Sequence, residues 1–358
     1  MKKNFFYTII PMLASIYLTG CQHQLVAHAA ALHNTYNSSI AEASSNEILL
    51  NIARAYNHEA PSFLAISSIT TSNSYTTPGL HLEQDGFSGS NLLASTVGSI
   101  TTNGMSYNPN ITMTPNSGEQ YANQLLTPLS LKDIGQISYA QNNIGLLLRL
   151  TIAKLGPWTN YPPIPMEHNP DQVIQNEKNF QAFCDMIQEV FANNGHILFF
   201  KRIDESKQSS LKNIALYVPI KQPYRFTQKQ LELLKSLKMN PKSKHFKLSL
   251  NLDREPNTIA ITPRTLVSTL HYLSNMIEGA PHPASIQSMQ ALLSKNFITI
   301  KTSQGKPENP FIAVQQHNLW YYIDNNDIQS KTTFESLELL FDITRIIPKN
   351  NSTVLISN

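Results

Sequence analysis

A chain of 358 residues with two cysteines has at most one disulfide open to it, Cys21 to Cys184. Whatever it folds into must therefore be held by buried apolar surface, and an apolar content of 41% is enough to build such cores. Cys184 sits among Phe180, Phe183, Ile187, Val190 and Phe191 at helical spacing, which reads as a core thiol inside a helix over 171–193.

The single bridge is removed by what surrounds the other cysteine. Lys2 and Lys3 form a short positive segment, and the run from Phe5 to Leu18 is apolar. Spanning a bilayer takes roughly 20 apolar residues. The run is shorter than that and has the length of a secretory signal. It ends in Leu18-Thr19-Gly20-Cys21, which resembles the lipobox of bacterial lipoproteins. Small residues give the signal peptidase access to the bond, and the thiol accepts the diacylglycerol. Several acyl chains, palmitate among them, then hold the protein to a membrane. Residues 1–20 are read as signal, Cys21 as the lipidation site and 21–43 as a tether. Gln22, where an inner-membrane retention signal has Asp, points to the outer membrane, with the body facing the periplasm.

With Lys2 and Lys3 gone, the 27 Lys+Arg fall to 25 against 24 Asp+Glu, a net charge of +1. That balance gives no electrostatic footprint for nucleic acid. The expected partners are the membrane, through the anchor, and other envelope proteins.

Along the chain, Ser44 and Glu47 have capping-box spacing, followed by an apolar face of Ile48, Leu49, Ile52 and Tyr56. An extended stretch begins at Phe63. Residues 70–110 are rich in Thr, Ser, Asn and Gly and read as polar hairpins or a loop. Thr114-Pro115 and Thr262-Pro263 each follow a short apolar strand and are read as an N-cap with Pro at the first helical position. Leu266, Leu270, Leu273 and Ile277 line the helix after the second. Ile144, Leu148, Ile152 and Leu155 mark another helix. Gly156-Pro157 to Pro165 is the best internal boundary and separates a region 44–156 from a domain 166–348.

Beyond the boundary come strands at Ile197–Phe200 and Ile214–Val218, then a helix capped by Thr227 and Gln230 and carrying Leu231, Leu234 and Leu237. Phe246-Lys247-Leu248-Ser249-Leu250 alternates as a half-buried strand does. His317-Asn318 is a two-residue hairpin turn between Phe311–Gln316 and Leu319–Ile323. Thr332 with Glu335 is read as the cap of a last helix with buried face Phe334, Leu337, Leu340 and Phe341. The expected class is α+β, a mixed or antiparallel sheet with helices packed on one face.

The stretches Asn46-Glu47-Ile48-Leu49-Leu50-Asn51 and Phe63-Leu64-Ala65-Ile66-Ser67-Ser68-Ile69 resemble a family of uncharacterised proteobacterial lipoproteins. So do Thr114-Pro115 with Gly118-Glu119, Leu125-Leu126-Thr127-Pro128-Leu129, and Trp320-Tyr321-Tyr322-Ile323-Asp324 with Asp327, Ser330-Lys331 and Thr333-Phe334. The resemblance implies an envelope location; the family has no assigned activity, so it says little about mechanism.

Motifs that would require catalysis are missing. Gly86-Phe87-Ser88-Gly89-Ser90 puts Ser90 where a nucleophile elbow needs its second Gly. No H-E-x-x-H, paired C-x-x-C or Gly-rich phosphate loop occurs, and Asp324-Asn325-Asn326-Asp327 has the wrong spacing for an EF-hand. No catalytic residue, metal or cofactor is assigned. The candidate protein-binding surface is Trp320, Tyr322, Asp324, Asp327 and Lys331, with aromatic anchors beside charge. A structural role for the same polar groups is the competing reading: Asp and Ser satisfying backbone N–H groups in a turn, and Lys331 paired to a carboxylate.

The function expected is a non-catalytic structural or protein-binding component of the outer membrane, accessory to a secretion or envelope assembly. One alternative is an oligomeric pore built from hairpins of 66–114. Ile100, Thr102 and Gly104 alternate there with Thr101, Asn103 and Met105, and neither set is lipid-like. The other alternative is a periplasmic hydrolase whose site is assembled only in space.

Overall fold

The computed structural model describes residues 34, 37–75, 105–160, 170–202, 214–250, 257–278 and 297–344. Cys21, most of the tether, the alternation at 100–104 and the Pro-rich residues 161–165 lie outside these. The described chain forms two compact units. One takes residues up to Pro61 and Ala122–Arg345; the other contains Ser62–Tyr121. The class is α+β, as the pattern of helices and strands predicts.

The larger unit holds two sheets. Its six-stranded sheet runs in the order β4-β3-β8-β7-β6-β5. The strands are β3 (Ile152–Leu155), β4 (Trp158–Thr159), β5 (Phe199–Arg202), β6 (Ile214–Pro219), β7 (His245–Ser249) and β8 (Thr258–Pro263). Only the β7–β8 pair is parallel. Because β3 pairs with β8, chain from both sides of the Pro-rich segment enters one sheet.

Four helices pack about it: α3 (Leu131–Gln141), α4 (Ile144–Thr151), α5 (Pro170–Asn193) and α6 (Gln228–Ser236). Phe180, Phe183, Cys184, Ile187, Val190 and Phe191 are buried along α5, in the helical spacing read from the sequence. α4 lies so close to α5 that a Cβ on Gly145 would come 2.7 Å from the Cys184 carbonyl oxygen. Gln188 of α5 accepts from the Gly145 N–H (3.1 Å) and donates to the Asn142 carbonyl (3.0 Å), fixing the α3–α4 corner. The box at the start of α6 is closed in both directions: the Gln230 N–H donates to Thr227 Oγ1 (3.3 Å), and the Thr227 N–H to Gln230 Oε1 (2.9 Å).

The second sheet is β10-β11-β9, built from β9 (Lys301–Ser303), β10 (Pro310–Gln316) and β11 (Leu319–Asp324). His317 (φ 49°) and Asn318 (φ 62°) make its turn, both left-handed as a type I′ hairpin requires. The inward residues Ile312, Val314, Tyr321 and Ile323 are buried, as are Phe334, Leu337, Leu340 and Phe341 of α8 (Ile328–Thr344). The first helix, α1 (37–56), is tied to both: Ser45 donates to Glu338, and Asn57, just beyond it, donates to the Tyr321 hydroxyl (3.3 Å).

Local signals misplace several ends. α1 begins before Ser44, which sits mid-helix, although Ile48, Leu49 and Ile52 are buried as read. The helix inferred from Ile144, Leu148, Ile152 and Leu155 stops at Thr151; Ile152 and Leu155 are buried in β3. Neither Thr-Pro pair starts a helix. Pro263 ends β8 opposite Ile152, and α7 (Leu266–Ser274) is capped by Thr265, whose Oγ1 accepts from the Ser268 N–H (3.1 Å). Pro115 ends β2 (Met105–Pro115), and α2 (Glu119–Leu126) follows later. β7 is buried at four successive positions, Phe246 to Ser249, so it is covered on both faces and not half-buried. α8 begins four residues before Thr332, whose hydroxyl bonds back to the Ile328 carbonyl (3.0 Å).

The smaller unit contains an antiparallel hairpin of β1 (Leu64–Tyr75) and β2, paired from Leu64↔Pro115 to Tyr75↔Met105 with one irregularity between Ile66 and Ser68.

Candidate functional site

Strand alternation divides β11 cleanly. Tyr321 and Ile323 face the core, while Trp320, Tyr322 and Asp324 share the other face and stay partly exposed. The register sets Trp320 between Gln315 and Ser303, and Tyr322 between Ala313 and Lys301. The Lys301 ammonium reaches Asp324 Oδ2 at 3.2 Å. The Asn326 N–H at Asp324 Oδ1 (2.9 Å) and then Lys301 hold the Asp324 carboxyl below its usual range, and Asp324 in turn raises Lys301. The Lys306 ammonium stands 5.9 Å from the Trp320 ring centroid, a contact worth about 0.5–1 kcal/mol where exposed.

The other two candidates do a different job. Asp327 is the N-cap of α8: its Oδ1 accepts from the Ser330 N–H (3.0 Å) and its Oδ2 from the Ser330 hydroxyl (2.5 Å). Ser330 Oγ also accepts from the Thr299 N–H (2.8 Å), which ties the chain before β9 to the helix start. Lys331 donates to the Asn325 side chain (3.0 Å) and carbonyl (3.3 Å) and lies 5.1 Å from the Phe311 ring centroid. Among the described residues it has no carboxylate partner. Asp327 and Lys331 thus build the strand-to-helix turn, and the open surface is Trp320, Tyr322 and Asp324 with Lys301 and Lys306. Sequence spacing does not reveal these lysines, because one arrives through the register of β9 and the other through the loop after it.

A second polar group lies inside the six-stranded unit. Arg264, 1% exposed, donates from one guanidinium nitrogen to the carbonyls of Arg149 (3.0 Å), Leu150 (3.1 Å) and Ile152 (2.9 Å). Its other terminal nitrogen reaches the Asn160 carbonyl, and the guanidinium stacks 3.7 Å from the Tyr272 ring centroid. Asn160 Nδ2 donates to the same Arg149 (2.6 Å) and Ile152 (3.0 Å) carbonyls. A helix ending in a buried corner leaves carbonyls without partners, and here Arg264 and Asn160 supply them.

Nearby, burial raises the Glu177 carboxyl, opposed by its hydrogen bond from Gln181 (3.0 Å) and by Arg149 and Arg264. Burial likewise pushes the Cys184 thiol well up, which removes the thiolate a nucleophile needs. Glu177 is 2% exposed, so solvent-borne substrate does not meet it. The group holds a corner together. The one local sign of it is a lone charge inside an apolar run, as at Arg149 between Leu148 and Leu150.

Among the described residues no three His, Cys, Asp or Glu side chains gather as a metal site, and no helix is long and apolar enough to cross a membrane. No family model matches the chain, and no curated protein or solved structure matches it either.

Proposed function

We propose that the protein is a lipid-anchored component of the bacterial outer membrane, held through Cys21 and facing the periplasm, that acts by binding other envelope proteins and not by catalysis. The reading is carried by the strip Trp320–Tyr322–Asp324. It is set on a sheet whose opposite face is packed, so the strand that presents the aromatic groups at the surface is fixed from behind. Rigid aromatics beside charge are what protein interfaces use as anchors, because little conformational freedom is lost on contact. The apolar run ending at Leu18-Thr19-Gly20-Cys21 supports the anchor.

Two measurements test the two parts. Palmitate labelling should be present in the full chain and absent after Cys21→Ser, with the variant released from membranes; label retained in the variant ends the anchor reading. A photo-crosslinker at Trp320 or Tyr322 in intact envelopes should give a discrete adduct that weakens with Asp324→Ala. Adducts no more abundant than from exposed Glu232 on α6 would reject the surface.

A further inference from the structure

The β1–β2 hairpin sorts its residues in a way the linear sequence conceals. Paired positions of an antiparallel ladder share a face and alternate along it. From the register, one face takes Leu64, Ile66, Ile69, Thr71, Asn73 and Tyr75 of β1 with Met105, Tyr107, Pro109, Ile111, Met113 and Pro115 of β2. The other takes Ala65, Ser68, Thr70, Ser72 and Ser74 with Ser106, Asn108, Asn110, Thr112 and Thr114. The first set is apolar except at Thr71 and Asn73. The second is Ser, Thr and Asn except at Ala65. The irregularity between Ile66 and Ser68 keeps the sets apart, because Ser67 is the extra residue that brings Ile66 and Ile69 to the same face.

Three further observations limit what such a ribbon can meet. Neither strand contains Asp, Glu, Lys, Arg or His, so of the residues that ordinarily protect exposed sheet edges the hairpin has only Pro109 and Pro115. The two strands form a sheet by themselves among the described strands, and a lone hairpin in water is marginal. At about 3.3 Å per residue, each strand exceeds the ~25 Å apolar band of a membrane barrel. An apolar face backed by small polar residues is the pattern of a strand between lipid and a water-filled lumen. In hydrocarbon, open edges leave backbone groups unpaired, so the ribbon has to close with others.

The Asn116 N–H donates to the Phe63 carbonyl (2.8 Å). Counting back by twos, Pro109 and Pro115 occupy positions whose N–H would point away from β1. The hairpin loses nothing there, but the outer edge of β2 lacks a donor at both prolines and offers a neighbour only those at Met105, Tyr107, Ile111 and Met113.

We propose that the hairpins of several copies of this chain join edge to edge and close a membrane β-barrel, with the Leu64–Ile66–Ile69–Ile111–Met113 face toward lipid and the Ser/Thr/Asn face lining the lumen. The outer-membrane location of the previous reading supplies the membrane, and the pore is an activity beyond that reading. The test uses the full chain in phosphatidylethanolamine–phosphatidylglycerol vesicles, spin-labelled singly at Ile69→Cys, Ile111→Cys, Ser72→Cys or Asn110→Cys. Labels at 69 and 111 should relax with lipid-soluble oxygen, and those at 72 and 110 with a water-soluble nickel chelate, in particles of several copies. All four sites reached alike by the chelate, all four shielded from both agents, or a monomer in the vesicles each overturn the barrel. Ile69→Asp with Ile111→Asp should stop dye release from loaded vesicles while the chain keeps its melting transition; unchanged release refutes the proposal. Repeating the label series on Cys21→Ser separates the two readings, since reconstituted hairpins alternate whether or not the anchor exists.

Discussion

The two sheets of the larger unit place their charges in opposite ways. The six-stranded sheet has β7 buried on both faces and its corner with α4 closed from inside by Arg264. The three-stranded sheet is packed on one face only, and its charges, Lys301, Asp324 and Lys306, lie at the rim of the other. An interior charge bonded to backbone is part of the frame. A rim charge can be removed with the frame intact. The proposed binding of partners would therefore draw on the second sheet, while the interior charge of the first bears on stability.

Removing Arg264 should have the largest effect. Arg264→Met withdraws its bonds to the Leu150 and Asn160 carbonyls, about 1–3 kcal/mol each when buried and unpaired. It also removes the stacked contact on Tyr272, about 2 kcal/mol when desolvated. The expected loss is on the order of 4–8 kcal/mol, comparable to the whole stability of an ordinary domain, read from denaturant melts. Arg264→Lys should recover little, because a single ammonium cannot reproduce the guanidinium fork. A Lys variant melting with the parent would show that the corner does not need that fork.

Neighbouring positions on β11 give the sharpest contrast between frame and rim. Tyr321 is 1% exposed, meets Tyr56 edge-on at 6.2 Å between ring centroids and accepts from Asn57. Tyr321→Ala should cost about 3–5 kcal/mol, as large aromatic truncations in cores do. Trp320→Ala, one residue away on the outer face, should cost less than about 1 kcal/mol and yet abolish partner crosslinking from position 322. Equal destabilisation by the two would erase the distinction between the faces of this sheet.

Next in size is the turn. Asp327→Ala removes the N-cap of α8 and should cost about 1 kcal/mol in the same melts. Asp327→Asn or Asp327→Ser should restore most of it, because either keeps a side-chain oxygen for the Ser330 N–H. If Asp327→Ala instead left the melt unchanged and removed the crosslink at Trp320, Asp327 would belong to the binding surface and not to the frame.

The contrast also explains what could be read from the chain. Elements set by neighbours in sequence were legible: the Thr227–Gln230 box, the His317–Asn318 turn, the buried faces of α5, α7 and α8, and the α+β class. Those set by distant chain were not. Ile144, Leu148, Ile152 and Leu155 keep helical spacing across a corner that only β8 imposes. Pro263 looks like a helix start until Ile152 is found opposite it in the sheet. Lys247 reads as the outward position of a half-buried strand, yet it is 2% exposed, because the cover on that face comes from elsewhere in the fold. At the candidate surface, Trp320, Tyr322 and Asp324 follow from alternation, while Lys301 arrives through register. The two faces of β1 were hidden by a single extra residue, Ser67.

The smallest effect expected is a dependence on pH at the rim. The Asp324 carboxyl is held below its usual range by the Asn326 N–H first and by Lys301 second. A carboxyl depressed in the folded state adds stability that is fully present above its unfolded value, about 3.9, and is lost as pH falls through the lower folded value. Asp324→Asn should therefore melt slightly below the parent at neutral pH and together with it once both are measured well under pH 3. Lys301→Met should remove only part of the difference, because the backbone N–H of Asn326, not the ammonium, is the larger influence. A gap that persisted unchanged into acid would mean that the carboxylate charge is irrelevant there and that Asp324 serves the turn by shape alone.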